Sequence, residues 1–280
     1  MQPVGSLEDV SLRPDEVASR VSAARDLSGE PKSIASLPDI VAKGLTPYKW
    51  KGVYVAGCVF AIWTLHLGWT LTSVPSFYWG TPFHIIFQAF LNVGLFITAH
   101  DAIHGVLAPG RKRLNNFIGS AALFLYGAFL WEKMHDNHHA HHRAPATAED
   151  PDYEVSERPL NWLGAFFVRY YSWRNLLLTY LHVGIVYVIS GSFADLMVYW
   201  AVPAWLSAVQ LFVFGVYLPH RKPKGGHTHA HRAVSLDFPE WLSFITCYHF
   251  GYHQEHHDYP YVPWWRLPKI RRAVLASQAA

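Results

Sequence analysis

The chain has only two cysteines, Cys58 and Cys247, and charged residues make up just 15% of it. Two cysteines provide no disulfide framework, no cysteine-type zinc site and no thiolate set for an iron–sulfur cluster. A net charge of +3 is too small to serve a nucleic-acid surface. No Gly-rich strand–helix motif for a dinucleotide or a nucleoside triphosphate occurs either, so any redox chemistry draws its electrons from an external donor. Residues 1–45 lack the apolar core of a signal peptide and mix charges of both signs. A mobile polar tail with no cleaved leader is expected there, followed by one membrane-embedded domain over 46–275.

Basic residues are also missing from two particular places, 74–81 and 191–195. Each of these segments joins two apolar runs. Residues 52–73 and 82–99 carry no charge, and about 20 apolar residues suffice to cross a bilayer. Residues 175–190 and 196–218 form a second such pair. All 23 Lys and Arg lie outside the two joining turns. The positive-inside rule then places both termini on the cytoplasmic side. Residues 116–131 are also apolar, but a straight crossing there would separate His104 from His138. A re-entrant or interfacial helix is expected instead. The predicted fold is an all-α integral membrane protein of two transmembrane helical hairpins with re-entrant or interfacial helices.

Against this apolar background stand 18 histidines, most of them clustered. His100 and His104 are four apart, and residues three or four apart share a helix face. The run HDNHHAHH (135–142) contains an H-x-x-H-H pattern in two registers, His135/His138/His139 or His138/His141/His142, and spacing does not choose between them. His253, His256 and His257 repeat the pattern. His220 ends the last apolar run. Together these make nine imidazoles, too many for one tetrahedral ion and suited to two metals at the cytoplasmic ends of the hairpins. Acidic residues beside the clusters, Asp101, Asp136, Glu255 and Asp258, are candidates to accept the second ring N–H of a ligand. His249, four before His253, is a further candidate ligand or a neighbour of one. His66, His84 and His182 stand alone in apolar runs and are expected to be packed and hydrogen-bonded. His227, His229 and His231 are expected in a surface loop, and WWRLP (264–268) is expected to be an interfacial anchor.

The boxes after hydrophobic hairpins resemble those of membrane di-iron desaturases and hydroxylases. The segments FITAHDAIHG (96–105), LWEKM…HHAHHRAPATAEDPD (130–152), LFVFGVYLPHR (211–221) and ITCYHFGYHQEHHDYPYVPWWRLP (245–268) are similar to those of bacterial β-carotene ketolases. The resemblance implies metal ligation by His100, His104, His138, His141, His142, His220, His253, His256 and His257. It sets the middle box on the second register, leaving His135 and His139 as extras. It further implies two iron ions, O2 as cosubstrate, a ferredoxin-type electron donor and a bacterial inner-membrane location. The expected reaction is oxidation of the C4 methylene of a β-ionone ring to a ketone, by two hydroxylations and a dehydration. A ring hydroxylase or a lipid desaturase of the same superfamily is the alternative. Asp101 is expected to orient a ligand. Phe96, Trp131, Tyr217, Phe250 and Tyr252 are candidates to line a slot for a carotenoid drawn from the bilayer.

Overall fold

The structure is a computed structural model that describes residues 50–278. The expected tail over 1–45 lies outside the described residues. Every regular element among the described residues is helical. Helix α1 (Lys51–Ser73) and helix α2 (Thr81–Ile103) form an antiparallel pair, with Trp63 bonded to Asn92 and His66 bonded to Gln88 and His84. Helix α2 is the centre of the molecule: it packs against α1, against α3 (Lys112–Gly127) and against the long helix α7 (Phe193–His220). Its polar residues Gln88, Asn92 and Thr98 are buried with bonded partners, as a low-dielectric surrounding requires.

Helix α4 (Trp131–Arg143) follows α3 after a corner that turns the chain by 99°. At the corner Ala128 takes a left-handed φ of 57°, and its carbonyl accepts a bond of 2.8 Å from Asn175. Asn175 also completes a capping box with Ser172 at the start of α6 (Trp173–Ser190), so one side chain fixes both elements. The bend brings α4 back toward the end of α2, and His104 and His138 meet as a result. Between α4 and α6 in the chain comes α5 (Pro159–Tyr170), which places Trp162 and Tyr170 against the loop that follows α4.

By length and composition α1, α2 and α7 are able to cross a membrane, and α3 with α4 makes a fourth candidate if the bent pair counts as one span. Helix α6, on the predicted 175–190 run, is not among them. Its 18 residues include Arg174 and Asn175, leaving fewer apolar ones than the roughly 20 a crossing takes. In α7 two π-helical stretches, Leu196–Ala201 and Phe212–Tyr217, each precede a proline, Pro203 and Pro219. A proline ring clashes with the carbonyl four residues back, and widening the preceding turn relieves that clash. The second π stretch lies directly before His220. The chain finishes with α8 (Glu240–Cys247), α9 (His253–Asp258), a 3-10 turn at Trp264–Arg266 and α10 (Leu267–Gln278).

Candidate metal centre

Nine histidines from four helices, α2, α4, α7 and α9, converge. His100, His104, His138, His142 and His256 form one group, and His141, His220, His253 and His257 form the other, with the nitrogens in each within 4.8 Å of one another. The two H-x-x-H-H boxes divide between the groups in opposite senses. On α4, His138 and His142 serve the first group and His141 the second. On α9, His253 and His257 serve the second and His256 the first. Helix geometry explains the split: positions i and i+4 nearly eclipse, whereas i+3 and i+4 lie about 100° apart around the axis, so one box straddles two centres.

Within the groups the Nε2 atoms face one another. His100 and His142 each approach His256, at 3.1 and 3.0 Å, and His104 approaches His138 at 2.8 Å. In the second group His220 and His253 are 2.9 Å apart, and His257 is 3.1 Å from His141 and 3.2 Å from His253. The outer nitrogens decide what those contacts are. The Nδ1 of His141 lies 2.9 Å from the Asp150 carboxylate, that of His220 3.2 Å from the Arg232 carbonyl, and that of His253 3.3 Å from the Phe250 carbonyl. All three partners only accept, so each Nδ1 carries the proton and donates it. The Nε2 atoms of His220 and His253 are then two bare lone pairs facing each other at 2.9 Å. A cation reconciles them, because metal–imidazole bonds of about 2.1 Å at right angles put ligand nitrogens about 3 Å apart. Burial, with mutual repulsion among the rings second, holds His253, His256 and His257 well below the usual histidine range, which favours the neutral form a metal needs. The donor set therefore fits two transition-metal ions.

Asp150 and Asp152 were not singled out by the sequence reading. They lie beyond α4 on an irregular segment, with no helical spacing to tie them to the box. Asp150 accepts from His141 and from the backbone N–H groups of Ala146 and Asp152, which fixes the loop and the imidazole together. Asp152 accepts from Tyr170, and its carbonyl accepts from Trp162 at 2.6 Å. Burial pushes the Asp152 carboxyl up to about 6, with His141 opposing.

Of the four acids proposed from sequence proximity, only Asp101 approaches a histidine of either group. Its Oδ1 is 3.5 Å from His100 Nδ1, an approach longer than a made hydrogen bond, and its Oδ2 accepts from the Trp264 N–H. This second contact ties WWRLP to α2. Asp136 pairs with His135, Glu255 with Arg271, and Asp258 with His229 and His231. His135 and His139 belong to neither group, and their rings lie against each other, centroids 4.4 Å apart and tilted by 37°. His249 is also outside both groups. A left-handed backbone at His249, φ 63°, turns its ring among Phe244, Tyr252 and Trp264. Among the lone histidines, His66 and His84 are hydrogen-bonded as expected, but His182 is not.

One cavity of about 610 Å³ opens onto the centre, and His100, His138, His141 and His253, from both groups, form part of its wall. The rest is chiefly apolar. Of the five aromatics expected there, Phe96 and Phe250 line it, and Gly215 makes room for the Phe250 ring, which a Cβ would approach to 2.8 Å. The other three are committed elsewhere. Trp131 packs over Gly119, Tyr217 packs against Phe212 and Trp162, and Tyr252 donates to the Phe238 carbonyl. Phe129, Phe166, Tyr170 and Phe212 take their places.

The fatty acid desaturase family profile matches residues 76–172 and 165–280. The chain is 46% identical over 183 residues to a β-carotene ketolase of Paracoccus sp. (strain PC1), covering 65% of this chain and 75% of that one. It is 40% identical over 221 residues to a β-carotene ketolase of Paracoccus sp. (strain N81106 / MBIC 01143), covering 78% and 90%. It is also 36% identical over 239 residues to a zeaxanthin 4-ketolase of Chlamydomonas reinhardtii, covering 82% and 52%. With its boxes folded into two facing histidine groups above an apolar cavity, the chain belongs to the fatty acid desaturase family and, within it, to the β-carotene ketolases.

Proposed function

We propose that the protein is a carotenoid ring ketolase that converts the C4 methylene of a β-ionone ring to a ketone. The observation that carries this reading is the apolar cavity whose wall includes histidines of both groups. A hydrocarbon ring held there has no acid–base handle, so only an oxidant made at the histidine centre suits it. Two iron ions, held by His100, His104, His138, His142 and His256 and by His141, His220, His253 and His257, supply that chemistry when bound by activating O2.

The chain's own residues prepare the reaction. Asp150 fixes the His141 tautomer, and the Arg232 and Phe250 carbonyls fix His220 and His253. Asp101 tethers the Trp264 segment behind His100, a positioning role. His249 is assigned to packing. Phe96, Phe129 and Phe250 present flat apolar faces that hold a ring beside the histidines and keep water away. In each round the carbon gains a hydroxyl at the cost of one O2, two electrons and two protons, with one water released. Two rounds give a geminal diol, which loses water to leave the ketone.

The electrons come from a ferredoxin-type donor, consistent with the lack of a nucleotide motif and of cluster thiolates. The reading includes two transmembrane hairpins in a bacterial inner membrane, α1–α2 and α6–α7, with the centre on the cytoplasmic side; α6 is shorter in apolar residues than an ordinary span, and Trp173 and Arg174 at its start reach the headgroup level. It is supported by the absence of Lys and Arg from 74–81 and 191–195. The substrate then reaches the cavity from the bilayer. The test is pigment analysis of a β-carotene-accumulating bacterial host that expresses the chain. Mono- and diketones are expected. Hydroxylated rings without ketone would replace this reading with that of a hydroxylase.

A further inference from the structure

The cavity extends far beyond the reacting end. Along α7 its wall runs from Gly215 and Val216, beside Phe250, to Trp200. The fifteen helical steps from Trp200 to Gly215 span about 22 Å at about 1.5 Å each. Polar groups on the wall between the two ends are already engaged: the Tyr171 and Thr179 hydroxyls bond each other, and Tyr170 donates to Asp152. His182 differs. It lies at the Trp200 end, is 5% exposed, and its Nδ1 has no hydrogen-bond partner among the described residues. Its ring rests on Phe124 at 4.5 Å with a 35° tilt, so its in-plane N–H does not point at that face. Trp200 stands edgewise at 5.9 Å. Neither contact replaces a hydrogen bond.

Nδ1 is sealed inside the wall, so Nε2, which likewise has no hydrogen-bond partner among the described residues, is the ring nitrogen left for a polar ligand atom in the cavity to satisfy. A pure hydrocarbon has none to offer. We propose that His182 is a specificity residue that hydrogen-bonds an oxygen, hydroxyl or carbonyl, on the far ring of a carotenoid whose near ring is at the histidine centre. The inference rests on the ketolase reading and deepens it: His182 favours the orientation that brings an unoxidised ring to the centre when the other ring already carries oxygen. Discrimination of this kind is effective because the site's own polar group is left unpaired in the wrong orientation.

The test uses the full chain in membranes, supplied with an electron donor and a carotenoid that has one plain β-ring and one 3-hydroxylated β-ring. The ratio of ketone on the plain ring to ketone on the hydroxylated ring is read by chromatography with mass detection. Both products arise from one substrate in one reaction, so the ratio does not depend on how much active protein a variant yields. His182→Phe is expected to lower the wild-type ratio roughly five- to tenfold, the worth of about one hydrogen bond. His182→Gln, which restores a donor and an acceptor, is expected to recover part of it. An unchanged ratio in His182→Phe, or a loss that His182→Gln does not reverse, overturns the proposal. β-Carotene given alone to the wild type separates the two claims. Ketone from β-carotene with an unchanged ratio sinks only the role of His182. No ketone from either carotenoid sinks the ketolase reading and this inference with it.

Discussion

Two buried histidine networks in this molecule differ in their proton count. In the α1–α2 pair, His66 Nδ1 donates to Gln88 at 2.6 Å, His84 Nδ1 donates to His66 Nε2 at 3.1 Å, and the Tyr78 hydroxyl donates to His84 Nε2 at 2.5 Å. Every nitrogen has a complementary partner, and the network closes with neutral rings. At the opposite end of α2 it does not close. The outer nitrogens of His141, His220 and His253 all face acceptors, so their inner lone pairs point at other nitrogens. Clustering alone therefore does not make a metal site. What marks one is a set of hydrogen-bond partners that leaves several lone pairs aimed at one volume.

The largest expected effect breaks the open network. His138→Ala, His141→Ala or His142→Ala should reduce ketone formation at least about 100-fold, as loss of a ligand at a metal centre does, whereas His135→Ala and His139→Ala should retain most of it. Ketone yield per unit of membrane protein checks this, and the reverse pattern would overturn the register. Next in size, Asp150→Asn keeps the side chain's shape but weakens the acceptor that fixes His141. A 10- to 100-fold loss in metal affinity or turnover is expected, measured by iron retention during chelator titration.

The closed network should respond differently. His84→Phe leaves the Tyr78 hydroxyl and the Nε2 of His66 each without a partner and should cost about 1–3 kcal/mol of stability while the iron content stays at the wild-type level. Thermal unfolding in detergent together with metal analysis reads both. A variant that lost iron would blur the comparison. The smallest effect concerns His249, which burial pushes down to about 4. A histidine with a depressed folded pKa takes up its proton more readily when unfolded, so its contribution is present above about 6.5 and is lost as pH falls toward 4. His249→Phe should flatten the acid limb of the stability profile over that window and leave the profile near neutrality unchanged.

The boxes were legible because helical spacing is a local property: once α4 and α9 form, His138, His141 and His142, and likewise His253, His256 and His257, must share a face. The apolar runs announced α1, α2 and α7 for a similar reason. Partition of each box between two groups was not legible, because it depends on where neighbouring helices stand. Asp150 escaped notice because an irregular loop, with no periodicity to read, brings it to His141. His182 was misjudged as a bonded core histidine because its partners, or lack of them, are set by packing across α6, α3 and α7. The same limit explains Trp131, Tyr217 and Tyr252: an aromatic near the right level faces the cavity only if the helix is rotated to put it there.

The facing lone pairs of the open network call for two metal ions to hold it together. The most direct measurement is the iron content per chain of the purified protein, in the wild type and in His253→Ala. About two irons per chain are expected in the wild type, with a loss in His253→Ala centred on the four-histidine group and no ketone formed. An active wild type that carries no metal, or a His253→Ala variant that keeps both irons, would contradict it.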